Sequence, residues 1–172
     1  MRKLLFLLFL SSFAFSSPDI IQFSITFMGK LAIKDYEGVF EDFYIPSDYT
    51  EKNIKDDREA ITEGIKFMIE KQVGEIKKFS IINKIEEKFI TFSYSTGPSE
   101  EIEKLKKIPV IFEVEFSKFG HGYIIMKVGK KKEKFKITEL IFCFPSSNQK
   151  SVSIVQNCFS FMMRIAEKQR KI

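Results

Sequence analysis

Tryptophan is absent from this chain of 172 residues, histidine occurs once and cysteine twice. Each scarcity removes a class of chemistry. One His and two Cys do not complete a four-ligand zinc site. Cys143 and Cys158 are too far apart in sequence for a redox C-x-x-C pair. The single histidine, His121, lies between Gly120 and Gly122 in a turn, where a general base lacks an orienting partner and shelter from water. No G-x-S-x-G elbow, cofactor fingerprint, internal repeat or low-complexity segment occurs. These gaps leave no catalytic, metal-binding or cofactor-binding residue to name.

Charge of one sign is also scarce. The chain carries 28 Lys and Arg against 23 Asp and Glu, for a formal charge of +5. Removing Arg2 and Lys3 takes the basic count from 28 to 26 and the charge to +3. So small an excess argues against nucleic acid as a partner. The basic clusters are Lys104, Lys106 and Lys107; Lys130 to Lys132 with Lys134; and Lys168, Arg170 and Lys171. They read as solvated surface, with at most weak attraction to anionic headgroups or wall polymers.

Long apolar runs are missing except at the start. Arg2 and Lys3 precede Leu4 to Leu10, and small residues follow at Ser11, Ser12, Ala14, Ser16 and Ser17. That order is the charged, apolar and small-residue sequence of a secretory signal. Ala14 and Ser16 suit the −3 and −1 positions, which predicts a signal peptide over 1–16 cut after Ser16. The run is shorter than the roughly 20 apolar residues a membrane span requires, and two serines interrupt it. No cysteine marks a lipidation site, and no later segment is long and apolar enough to span. The expected product is a single domain over 17–172 in the periplasm or secreted, with no transmembrane segment after cleavage.

Phenylalanine, by contrast, is abundant, at 20 residues. Its ring has no polar atom to satisfy, so a Phe-rich interior is dry. Ile20, Phe23, Phe27 and Leu31 recur at helical spacing, and Tyr36, Val39, Phe40 and Phe43 mark a second short helix that Pro46 ends. Asp48 or Thr50 caps a third helix, with Ile54, Ile61, Ile65 and Met68 on one face, that Gly74 closes near Val73. The region 17–74 is therefore helical. Over 75–144 the period falls to two, which predicts an antiparallel sheet. Segments 75–85 and 88–96 read as two strands joined tightly through Glu86-Glu87. Gly97-Pro98 breaks the pattern, and Ser99 to Lys107 is a polar excursion with room for one short helix. Val110, Phe112, Val114 and Phe116 alternate with Ile111, Glu113, Glu115 and Ser117, the clearest half-buried strand. Two further strands cover Tyr123 to Val128 and Lys134 to Phe144. A closing helix spans 151–168, with Val152, Val155, Phe159 and Met162 in one stripe and Ile154, Cys158, Phe161 and Ile165 in the next. So broad an apolar arc calls for substantial burial. The predicted fold class is α+β: N-terminal helices packed on a curved antiparallel sheet of about five strands, a meander, with a C-terminal closing helix.

This order resembles the nuclear-transport-factor-two-like superfamily, a cone-shaped α+β barrel, as an exported bacterial member. The resemblance rests on Phe27 to Phe40, an apolar helix running into Asp35-Tyr36 and on to Phe40. It rests also on Gly129 to Leu140, where Phe135 stands in place of the Trp common in that closing hairpin. The C-terminal helix and the long charged third helix depart from the pattern, and cystatin-like sheets and periplasmic lipid carriers are the competing architectures. The resemblance implies that Asp35, Asp42 and Asp48, with Tyr36, Tyr44 and Tyr49, lie near the mouth of the cone. Some members are isomerases or dehydratases that use Asp or His with Tyr there; the same aspartates also suit capping and surface roles.

Two cysteines in an exported chain are read as a disulfide, Cys143 to Cys158, worth about 3 kcal/mol by loop closure. The other reading is two buried free thiols acting as small apolar residues. Three functions follow. The first is a non-enzymatic binding or interaction domain whose apolar cleft, lined by Phe27, Phe40, Phe92, Phe112 and Met126, takes a small hydrophobic ligand or a partner segment. The second is an isomerase or dehydratase with an Asp/Tyr pocket. The third is a cell-envelope assembly component with an uncovered apolar patch.

Overall fold

The computed structural model describes residues 18–171, so the leader and its cleavage after Ser16 lie outside the described residues. Helix α1 covers Pro18–Ala32, α2 Tyr36–Glu41 and α3 Glu51–Phe67, which continues as a π-helical turn over Met68–Val73. Strands β1 Ile76–Ile82 and β2 Phe89–Tyr94 come next, then the short helix α4 Glu100–Glu103. Strands β3 Ile108–Phe116, β4 Gly120–Lys131 and β5 Lys134–Pro145 lead to α5, Lys150–Arg170. The fold is α+β, with α1 to α3 ahead of the sheet, α4 between β2 and β3, and α5 after the last strand. None of these helices is long and apolar enough to cross a membrane.

Local chemistry accounts for the helix ends. The Thr50 hydroxyl accepts from the Asn53 amide at 3.2 Å and so caps α3. Gly74 ends the π-helical turn with a positive φ of 84°, and an added Cβ would sit 2.7 Å from the Lys118 nitrogen. A residue with a side chain fits there badly in both respects. Lys30 on α1 donates to Asp42 at 2.6 Å and to the Gly38 carbonyl at 3.0 Å, tying α1 to the end of α2.

The five strands lie in the order β1-β3-β4-β5-β2, all antiparallel. This corrects the expectation of a hairpin between the first two strands. β1 pairs with β3 and β2 pairs with β5, so the two stand at opposite edges. Residues 83–88 join them by crossing the outer face. Glu87, just before β2, accepts a hydrogen bond from Tyr123 on the middle strand at 2.6 Å. The distance permits it: four strand spacings are about 19 Å, and seven extended residue steps reach about 23 Å.

Alternation assigns the two faces. Val110, Phe112, Val114 and Phe116 are buried toward the helices with Ile124, Met126, Leu140, Phe142 and Phe144. Tyr94 joins that face: its ring meets Phe142 edge-on, and its hydroxyl donates to the Gly64 carbonyl of α3 at 2.8 Å. Phe27, Met28 and Leu31 of α1, Phe40 of α2, Phe43 just after it and Ile65 of α3 complete the core. On the outer face, Ser80, Glu113, Tyr123, Cys143 and Thr91 form one row across all the strands. Ile82, Ile111, Ile125 and Ile141 form the next, each half-buried.

Candidate functional site

A polar cluster lies on the outer face, where the 83–88 link crosses the sheet. His121 and Tyr123 are two apart on β4 and so share a face. The Tyr123 hydroxyl donates to Glu87 at 2.6 Å, which leaves its oxygen to accept from His121 Nε2 at 2.8 Å. His121 Nδ1 stands 3.7 Å from Glu113. Burial, and then the adjacent Glu87 carboxylate, push the Tyr123 hydroxyl up to about 12, so it is a donor and not a base near neutral pH. An open groove of about 410 Å³ runs beside the cluster, lined by Lys78, Ser80, Glu113, Glu115 and His121 among others. The His121 side chain is 46% exposed. Chemically the cluster is a latch that holds the crossing link to the middle strand. Sequence reasoning singled out His121 but missed Tyr123 and Glu87, because the crossover that joins them is not visible in the local pattern.

The other residues read as a possible catalytic set hold structural positions. Asp35 caps α2 by accepting from the Gly38 amide at 3.0 Å. Asp42 is held by Lys30, and Asp48 is exposed. Tyr36 donates to Glu70 of the π-helical turn at 3.2 Å. Burial and then Asp57 raise the Tyr49 hydroxyl, and burial and then Glu101 push Tyr44 up to about 12. Among the described residues no three His, Cys, Asp or Glu side chains converge to hold a metal.

The residues expected to line an apolar cleft lie in or beside the core. Phe27, Phe40, Phe112 and Met126 are buried in the common core, and Phe92 is half-buried beside it. None of them lines the grooves beside His121, beside Asp35, at the 131–136 turn or between α3 and the end of α5. Phe27 and Phe40 come from the helices and Phe112 and Met126 from the sheet, and all four belong to one buried cluster.

The cysteines are two free buried thiols here, not the expected bridge. Phe142 and Phe144 point to the helices, so Cys143 between them points to the outer face, in the row of Tyr123. Cys158 lies on the other side of the sheet, its Sγ 3.8 Å from Met68 Sδ. A bond between them would have to pass through the sheet. Burial pushes each thiol up to about 12.

The remaining feature is apolar and exposed. α5 buries Ile154, Cys158 and Ile165 but leaves Val152 50%, Phe159 61% and Met163 44% exposed. At 3.6 residues per turn these three share one stripe. On one flank of Cys158, Asn157 reaches Gln72 at 3.1 Å and Phe161 stacks on Phe67 at 4.2 Å, so that side is occupied by α3 and its π-helical turn. Phe159 is on the opposite flank, the side of β2, over which α5 packs. This corrects the expectation that the broad apolar arc of the closing helix is buried: its Ile154, Cys158 and Ile165 stripe is covered, while Val152 and Phe159 are not. Compared with protein-family models, with curated proteins and with solved structures, the chain matches none.

Proposed function

We propose that this chain is an exported, non-enzymatic interaction domain that engages a partner through its surface instead of enclosing a small ligand. One observation carries the reading. The phenylalanines expected to line a cleft fill the core, while Val152, Phe159 and Met163 of α5 are left outside it. Apolar side chains gathered on one exposed stripe mark an interaction site more often than isolated ones do. A role in cell-envelope assembly is the form of this function that suits the signal-like leader.

The test is native mass spectrometry of the purified protein together with a Phe159→Ser, Met163→Ser variant. The expected spectrum carries no mass beyond that of the polypeptide itself, with no small molecule added to it. The variant should elute earlier from a hydrophobic-interaction column with an unchanged melting temperature. A small apolar molecule retained through desalting would overturn the reading in favour of a cleft. The isomerase or dehydratase alternative draws on one contact, the His121–Tyr123 hydrogen bond beside the open groove. That groove is open to the surface, and the His121 side chain is 46% exposed in it.

A further inference from the structure

We infer that the 83–88 link is a strap over the outer face of the sheet and that the charge on His121 sets how firmly it is held, more firmly with the imidazole protonated. The link runs diagonally. It leaves β1 at Ile82, in the row of Ile111, Ile125 and Ile141. It enters β2 at Phe89, which pairs with Pro145, well beyond Ile141 on β5. Between those two levels lies the row of Tyr123 and Cys143, so the strap passes over it. Ile85 and Glu87 of the strap are half-buried, whereas Asn83, Lys84, Glu86 and Lys88 are exposed. The Ser146 N–H donates to the Lys88 carbonyl at 2.9 Å and fixes the far end. Just short of that end, the Tyr123 hydroxyl holds Glu87 at 2.6 Å.

Three carboxylates and one ammonium stand around His121. Glu113 and the register partner Glu115 come from β3, Glu87 from the strap and Lys78 from β1. Tyr123 is the neighbour on its own strand, and the nearby end of β5, Phe144-Pro145, carries no charge. With its Nε2–H donated to Tyr123 at 2.8 Å, a neutral His121 turns an Nδ1 lone pair toward the Glu113 carboxylate at 3.7 Å, and the two repel. A proton on Nδ1 reverses the sign. The imidazolium then stands 3.7 Å from Glu113 on the sheet and 3.7 Å from Glu87 on the strap, and so ties one to the other. Lys78 opposes that charge and Glu115 supports it. Histidine ordinarily changes charge between about pH 5 and 8. A hold that needs the proton is complete on the acid side of that change and fades as pH rises through it. Both pairs are partly exposed, which keeps the effect modest.

Slow labelling of the full purified protein with dithiodipyridine, read at each cysteine by mass spectrometry, tests this. Cys143 is buried on the face the strap crosses and Cys158 on the other side of the sheet, so the first reports the strap and the second the whole fold. His121→Gln keeps a donor for Tyr123 but stays neutral at every pH. The ratio of its labelling rate to the parent's, taken at one pH, cancels the reagent's own pH dependence. At Cys143 that ratio should lie near unity at about pH 8 and rise to roughly two- to fivefold at about pH 5.5, the effect of losing a partly exposed ion pair. At Cys158 it should stay near unity at both. Equal Cys143 ratios at the two pH values would overturn control by His121. Ratios that move together at the two cysteines would mean that the whole fold opens, and would overturn the strap. So would Cys143 labelling no faster than Cys158 in Glu87→Gln, which takes the charge off the strap.

Discussion

Burial holds both thiols near a pKa of about 12, far above neutral pH, so neither is a thiolate in the folded chain. Cys143 is fully buried although it faces away from the helices, in the same row as Tyr123, which the 83–88 link latches to Glu87. Cys158 is closed in against Met68. The native protein is therefore expected to resist iodoacetamide. After denaturation without reductant it should present two reactive thiols per chain. A count of none after denaturation would mean a bridge, and with it a different seat for one of the two residues. On the same face Tyr123 is buried, while its partners Glu87 and His121 are 36% and 46% exposed.

Gly74 joins the helical half to the sheet, and Gly74→Ala is expected to cost about 2–3 kcal/mol, because both the positive φ and the contact with Lys118 oppose a Cβ. Thermal or urea unfolding would read this as a lower midpoint, and an unchanged midpoint would mean that the turn relaxes freely. Helix α4 is pinned through Glu101, which accepts from the Ser47 amide at 2.8 Å and its hydroxyl at 3.0 Å, with Lys131 at 3.5 Å. The Ser47 backbone N–H, then the Tyr44 hydroxyl, hold the Glu101 carboxyl down at about 2, against an ordinary 4.5. A carboxyl with a depressed folded pKa stabilises fully above its unfolded value and loses that contribution as pH falls toward the folded one. Unfolding followed between pH 4.5 and 2 should thus be less steeply pH-dependent in Glu101→Gln than in the parent, while equal slopes would remove Glu101 from the acid transition.

Five strands share one core, and their depth in the sheet should set the order of hydrogen exchange. β4 lies in the middle with partners on both sides, and β3 and β5 flank it. Amides of β4 are expected to exchange last and those of β1, on a free edge, among the first. The central strands of a stable sheet cannot exchange before its edge, so early loss of β4 protection would refute the strand order.

Much of this architecture was legible in the chain. The switch from a period of 3.6 to a period of 2 near Gly74, the cap at Thr50 and the inward face of β3 are properties of neighbours in sequence, and they appear where the pattern placed them. The sequence alone determined the kinds of element, their order and most of the core. Tertiary structure alone decided which strands are neighbours, which stripe of α5 is buried and which face each cysteine takes. The reason is physical. Periodicity records that a side chain has an inside and an outside, but which surface lies opposite depends on contacts distant in sequence. The long β3-β4-β5 meander claimed the centre of the sheet, so β1 and β2 were left to its two edges. The 83–88 link then had to cross the outer face, and one residue of alternation set Cys143 on the opposite side from Cys158.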